Sequence, residues 1–118
     1  MHVVILTDRK ESLLEFAQGL GGDAEWATAA DDVLSRAKTP PWQLVVVDAL
    51  MAGMQYKTFL IDLLRVNAML STVVVTDMDE DAFHEDSEGL GVICAVPKNP
   101  GREHGIKAMD RLCLLLGL

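Results

Sequence analysis

The sequence predicts an α/β domain in which a doubly wound, five-stranded parallel sheet is covered by five helices on its two faces. Runs that are apolar on both faces, such as residues 43–47, alternate with segments whose apolar side chains recur at helical spacing. The alternation recurs about every 20 to 25 residues, as right-handed βα units require. With 118 residues, half of them apolar or aromatic, the chain suits one domain over residues 1–118 with one core.

The first half of the chain supplies three strands and two helices. Strands are predicted at residues 3–6, 24–28 and 43–47, where short apolar runs occur. The first helix is expected over residues 13–20, with Gly21-Gly22 as its stop, and the second over residues 31–38 before Pro40-Pro41.

The second half continues the same alternation. Helical spacing of apolar residues predicts helices at 59–66 and 106–116, and all-apolar runs predict strands at 72–75 and 92–96. The acidic segment 81–88 has the weakest helical pattern. It is counted as the fourth of the five predicted helices.

Composition excludes several classes of function. A net charge of −8 and a pI near 4.6 disfavour direct contact with nucleic acid or anionic lipid and favour a protein partner. No apolar run approaches the roughly 18 residues of a membrane span, and the first residues lack a secretory pattern, so we expect a cytoplasmic protein. Cys94 and Cys113 have neither CxxC spacing nor a companion histidine cluster, which disfavours zinc and a disulfide framework.

The chemistry-bearing residues are concentrated where strands end. In a doubly wound sheet, ligands bind outside the carboxyl ends of the strands, near the point where strand order reverses. Two carboxylates there suit a hard cation such as Mg²⁺, an aspartate can act as nucleophile, and a hydroxyl and an ammonium can hold phosphoryl oxygens. The strand-end residues of this kind are Thr7, Asp8, Asp48, Thr76, Asp77 and Lys98.

Three motifs resemble those of the receiver domains of bacterial two-component response regulators. They are LVVVDALMAGM at residues 44–54, VVVT at 73–76 and VPKNP at 96–100, and the resemblance extends from Val3 to Leu118. It implies a flavodoxin-like sheet with the strand order 2-1-3-4-5.

The resemblance also implies roles for individual residues. Asp48 takes the position of the phosphoacceptor, and Thr76 and Lys98 take those of the hydroxyl and the lysine that contact the phosphoryl group. Mg²⁺ would be held by Asp8, Asp48 and the backbone carbonyl of Leu50. Such a domain catalyses at most its own phosphoryl transfer and dephosphorylation.

Partners follow from the same resemblance. The phosphoryl donor would be a sensor histidine kinase or a phosphotransfer protein, and the output would be contact with a downstream protein target. A homodimer through the last helices and strand is a further option that the resemblance allows.

Several residues depart from the family pattern. Thr7 replaces one carboxylate of the usual acidic pair, which predicts weakened Mg²⁺ affinity, and Asp77 adds a carboxylate that would repel a phosphoryl group. Ala95 stands where an aromatic switch residue is expected. Two functions therefore stay open: a phosphorylatable receiver, and a receiver-like interaction module that is read without phosphorylation.

One alternative site is disfavoured by its context. Asp77, Asp79 and Asp81 with Glu88 reproduce the ligand spacing of an EF-hand calcium loop, yet Ala82 stands where the turn requires glycine. We expect a solvated acidic loop and the start of a helix instead.

The sequence also lacks the motifs of two other functions, flavin binding and phosphatase activity. Residues 7–12 contain no glycine with which to cradle a flavin phosphate. A phosphatase with a strand-end nucleophile would need a second aspartate two residues after Asp8, where Lys10 stands.

Overall fold

The computed structural model of the protein describes residues 2–21 and 23–117. Five strands alternate with five α-helices, and a short 3₁₀ turn at Lys10–Leu13 precedes the first helix. The strands are β1 Val3–Leu6, β2 Ala24–Ala27, β3 Leu44–Asp48, β4 Ser71–Val75 and β5 Val92–Val96. The helices are α1 Leu14–Gly19, α2 Ala30–Arg36, α3 Tyr56–Val66, α4 Glu80–Asp86 and α5 Arg102–Leu116.

All neighbouring strands are parallel, and their order is β2-β1-β3-β4-β5. The chain starts in the middle of the sheet, extends to one edge with β2, and returns past β1 to build the other half. The order therefore reverses between β1 and β3, where Leu6 pairs with Val47. The carboxyl ends of β1 and β3 meet at this reversal, so residues that follow β1 lie beside the last residue of β3.

Each face of the sheet packs on its own set of helices. Alternate strand residues point to α1 and α5 on one face and to α2, α3 and α4 on the other. The strands β1 and β3 are fully buried, which explains why their sequences are apolar without alternation. The two cores are centred on Phe16, Leu13 and Leu112 on the first face and on Leu60, Leu63 and Val33 on the second.

Two glycines allow α1 and α5 to approach each other closely. A Cβ atom on Gly19 would lie 2.0 Å from the carbonyl oxygen of Arg102, and one on Gly105 would lie 2.3 Å from that of Phe16. Both contacts are with backbone atoms, so a side chain could be accommodated only if the helices moved apart.

The predicted elements are confirmed, with differences at their ends. The helix α5 begins at Arg102, four residues before the first apolar position, because its first turn is polar and His104 accepts a hydrogen bond from the Gly101 N–H at 3.0 Å. The strand β3 extends to Asp48, which pairs with Val75. Of the predicted stop after the first helix, Gly21 has a φ of 114°, and Gly22 lies outside the described residues.

The segment with the weakest helical pattern does form the helix α4. Asp79 caps it, accepting a hydrogen bond from the Ala82 N–H at 3.4 Å. No helix in the described ranges has the length and apolarity needed to cross a membrane.

Candidate functional site

The carboxyl ends of the three central strands form the site that the sequence predicts. Asp48 closes β3, Thr7 follows β1, and Thr76 follows β4. Backbone hydrogen bonds continue past the strand ends, from the Thr7 N–H to Ala27 and from the Thr76 N–H to Val96, both at 2.9 Å. These bonds fix the backbone of the strand-end residues, and all three side chains are buried.

The carboxylate of Asp48 is fully buried and fully hydrogen-bonded. Its Oδ2 accepts from the Thr7 hydroxyl at 2.7 Å and from Arg9 Nε at 2.9 Å. Its Oδ1 accepts from Arg9 Nη2 at 3.1 Å and from the Leu50 N–H at 3.0 Å. A carboxylate has about four lone-pair sites, and protein donors fill all of them here.

Arg9 is the cation of this site. Its guanidinium contacts both oxygens of Asp48, the two-pronged geometry in which arginine binds carboxylates most strongly. The same side chain donates from Nη2 to the carbonyl oxygen of Lys98 at 3.1 Å, and it is only 20% exposed. Arg9 thus connects the ends of β1 and β3 to the loop that follows β5.

Local structure after β1 directs Arg9 into the site. The Thr7 hydroxyl accepts a hydrogen bond from the Arg9 N–H at 2.9 Å while it donates to Asp48. This turn, typical of threonine and serine, links the Arg9 backbone through the Thr7 hydroxyl to Asp48 at the end of β3. Thr7, in place of a carboxylate, therefore helps to build the site through its hydroxyl.

Thr76 and Lys98 lie at the same edge but make no hydrogen bond or ion pair with the Asp48 carboxylate. The Thr76 Oγ1 accepts from the Met78 N–H at 3.1 Å, which fixes its orientation at the start of the next loop. Lys98 is exposed and, within the described residues, makes no ion pair with a carboxylate. The predicted contact of Lys98 with a phosphoryl group stays a prediction, and the cation on the Asp48 carboxylate itself is Arg9.

The residues predicted to hold Mg²⁺ are arranged for other contacts. The Asp8 carboxylate is exposed and accepts from the Ala52 N–H at 3.2 Å, and Leu50 contributes its N–H to Asp48. Among residues 2–21 and 23–117, no group of three His, Cys, Asp or Glu side chains could hold a metal ion. With Arg9 on both oxygens of Asp48, these residues do not fit a divalent cation.

Other residues singled out in the sequence lie outside this site. Asp77 is exposed, as is Ala95 on the edge strand β5. Asp79 caps α4, so the acidic segment that resembles a calcium loop is a loop followed by a helix start.

A second cluster, which the sequence did not reveal, joins α3 to α4. The Tyr56 hydroxyl donates to the Asp86 carboxylate, and Lys57 Nζ lies 3.0 Å from the other oxygen of Asp86. The Tyr56 ring stacks on Phe83, with centroids 5.7 Å apart and an interplanar angle of 29°. Burial and the adjacent Asp86 raise the pKa of Tyr56, while the Tyr56 hydroxyl and Lys57 lower the pKa of Asp86.

Comparison with known proteins gives matches at the level of structure only. No protein-family model matches the chain, and no curated protein matches it. A two-component response regulator from Clostridium difficile is similar to it with a TM-score of 0.81 at 12% identity, over 100% of this chain and 99% of that one.

Two further solved structures show the same likeness. A CheY-like response regulator receiver domain protein from Methanospirillum hungatei has a TM-score of 0.79 at 18% identity, with 98% of this chain and 96% of that chain covered. A chain described as an adenylate cyclase from Rhodopirellula baltica has a TM-score of 0.73 at 16% identity, with 98% and 92% covered.

These identities support a statement about fold. The chain has the receiver-domain fold, with five parallel strands in the order 2-1-3-4-5 and helices on both faces. The predicted fold class and the predicted resemblance are confirmed at this level.

Proposed function

We propose that this chain is a receiver-like signalling module that acts by protein–protein contact and is read without phosphorylation of Asp48. One observation carries the proposal: every lone pair of the buried Asp48 carboxylate is used by Thr7, Arg9 and Leu50. Nucleophilic attack on phosphorus requires a free lone pair on that oxygen. Asp48 is therefore better suited to hold the strand ends together than to accept a phosphoryl group.

We assign this contact to the last helices and strand, the surface that the resemblance allows for a homodimer. The strand β5 is at the edge of the sheet, and a groove of about 330 Å³ lies over it between α4 and α5. Ala95 is exposed there, and Ile93 and Cys94 are half-buried. Downstream proteins in the cytoplasm, or a second copy of the chain, are the proposed occupants of this groove.

The second candidate function is that of a phosphorylatable receiver. It is supported by the position of Asp48 at the strand-order reversal, with the Thr76 hydroxyl at the same sheet edge. An Asp48 oxygen would bond to the phosphorus of a phosphohistidine on a kinase or phosphotransfer protein as the P–N bond breaks. The bonding pair would stay on the ring nitrogen, and the histidine would leave as neutral imidazole that keeps the proton already on its other nitrogen. Arg9 would first have to release that oxygen.

The two candidates differ in one measurable outcome. The protein and its Asp48→Asn variant are incubated with Mg²⁺ and acetyl phosphate, and intact masses are recorded. We expect neither protein to gain the mass of one phosphoryl group. The positive control is a receiver that accepts phosphate from this donor, which should be labelled under the same conditions. A phosphoryl adduct on the wild type that is absent from Asp48→Asn would overturn the proposal in favour of the second candidate.

A further inference from the structure

The buried carboxylate of Asp48 requires a positive charge beside it. Asp48 is fully shielded from solvent at the end of an all-apolar strand. A buried carboxylate is strongly destabilising unless a cation or several donors compensate its charge. At this carboxyl-terminal edge of the sheet, the cation can be a bound metal ion or a side chain of the protein itself.

Three basic side chains lie in the segments that surround Asp48, and only one contacts it. Arg9 makes both nitrogen–oxygen contacts, at 2.9 and 3.1 Å. The Lys10 ammonium lies over the Trp26 ring, 5.1 Å from its centroid. Lys98 contributes its carbonyl oxygen, which accepts from Arg9. The site is built around the guanidinium.

A divalent cation and Arg9 compete for the same atoms. A metal ion on Asp48 would need a lone pair of Oδ1 or Oδ2, and Arg9 binds both oxygens. Asp8, the other carboxylate near this loop, binds the N–H of Ala52, two residues beyond the Leu50 N–H that binds Asp48. Both carboxylates thus accept from N–H groups of the loop 49–52, and Arg9 occupies both oxygens of Asp48.

We infer that Arg9 is a built-in cation that takes the place of a divalent metal at Asp48, so that the wild-type site is insensitive to Mg²⁺. Loss of the guanidinium leaves Asp8 and Asp48 as two carboxylates beside one loop, and these form a latent Mg²⁺ site. This inference deepens the proposed function and rests on it, since both depend on Arg9 remaining on Asp48.

Thermal unfolding with and without Mg²⁺ tests the inference, with NaCl at matched ionic strength as reference. We expect the wild type to unfold at the same temperature in both salts. Arg9→Ala is expected to unfold at a lower temperature and to be stabilised by about 5 °C when Mg²⁺ is present at ten times its dissociation constant. Lys10→Ala removes a neighbouring charge that does not contact Asp48, so it should behave as the wild type.

The response of Arg9→Ala must depend on Asp48. The double variant Arg9→Ala with Asp48→Asn should lose the response to Mg²⁺, which separates the latent site from general screening of the acidic surface. Arg9→Lys, which retains a charge without the guanidinium fork, provides the same test if Arg9→Ala does not fold. Mg²⁺ should stabilise Arg9→Lys less than Arg9→Ala, and this stabilisation should also disappear when Asp48→Asn is added.

Two results would overturn the inference. One is stabilisation of the wild type by Mg²⁺ that disappears in Asp48→Asn, because the metal would then reach Asp48 past Arg9. The other is a folded Arg9 variant that does not respond to Mg²⁺. Phosphoryl uptake by a wild type that stays insensitive to Mg²⁺ would instead overturn the proposed function alone, since intact mass and unfolding temperature are independent measurements.

Discussion

Two clusters in this protein combine the same three kinds of side chain, an acid, a base and a hydroxyl, in different surroundings. In each, a carboxylate is bound by a basic side chain and a hydroxyl: Asp48 by Arg9 and Thr7, and Asp86 by Lys57 and Tyr56. The Asp48 side chain is fully buried, whereas that of Asp86 is 34% exposed and that of Lys57 is 51% exposed. Burial is therefore the difference from which we expect unequal contributions of the two ion pairs to stability.

The physical reason is the cost of leaving a charge without a partner. An exposed carboxylate that loses its cation is solvated by water, so exposed pairs contribute little to stability. A buried carboxylate that loses its cation has no such replacement. The first cluster also joins β1, β3 and the loop after β5, while the second joins only α3 and α4.

The largest effect is expected from Arg9→Met, which keeps the length of the side chain and removes its charge. We expect it to lower the free energy of unfolding by about 3 kcal/mol, since it leaves Asp48 buried without a cation. Urea denaturation followed by Trp fluorescence measures the change.

The matched control replaces both partners. Arg9→Met with Asp48→Leu should recover all but about 1–2 kcal/mol, the remainder arising because the Thr7 hydroxyl and the Leu50 N–H lose their acceptor. A double variant no more stable than Arg9→Met would show that the single change acts through packing rather than through the unpaired charge.

A smaller effect is expected in the partly exposed cluster around Asp86. Tyr56→Phe retains the stacking on Phe83 and loses the hydrogen bond to Asp86, and Lys57→Ala loses the ion pair. Each should lower the midpoint of thermal unfolding by no more than about 4 °C. Were Lys57→Ala as damaging as Arg9→Met, burial would not be what distinguishes the two clusters.

The smallest effect concerns protonation and can be followed at one residue. Tyr56 is the single tyrosine of the chain, so absorbance at 295 nm reports on its ionisation alone. Its pKa is raised above the ordinary 10.0 by burial and by Asp86, so the midpoint should lie above that value and fall in Asp86→Ala. The folded state then holds the phenol proton more tightly than the unfolded state, and its stability decreases as the pH rises above 10.0.

Circular dichroism at each pH must show that the protein is folded through the titration. A midpoint equal in wild type and Asp86→Ala would contradict the contact between Tyr56 and Asp86.

The fold could be predicted because it depends on features that are local in sequence. Runs such as 44–48 are apolar without alternation because both sides of the strand are buried, and the crossover rules then leave few possible topologies. Apolar periodicity predicts a start of α5 at Ile106 rather than at Arg102, because the first turn is polar and no apolar periodicity marks it.

The site could be predicted only in part. The sequence predicts Asp48, Thr76 and Thr7 at one edge, because strand ends in a parallel sheet meet there. The identity of the cation could not be predicted in this way, since Arg9, Lys10 and Lys98 all follow or adjoin strand ends. Their side chains are long and flexible, so sequence spacing does not fix which of them reaches the carboxylate.

The sequence by itself determined the sheet, its helices and the position of Asp48, because apolar periodicity and turn residues act over a few neighbours. Only the tertiary structure decided that Arg9 binds Asp48 and that Lys98 does not. That choice joins residues 39 positions apart and depends on the turn at Thr7 and on the burial of Asp48, which exist only once β1 and β3 are paired.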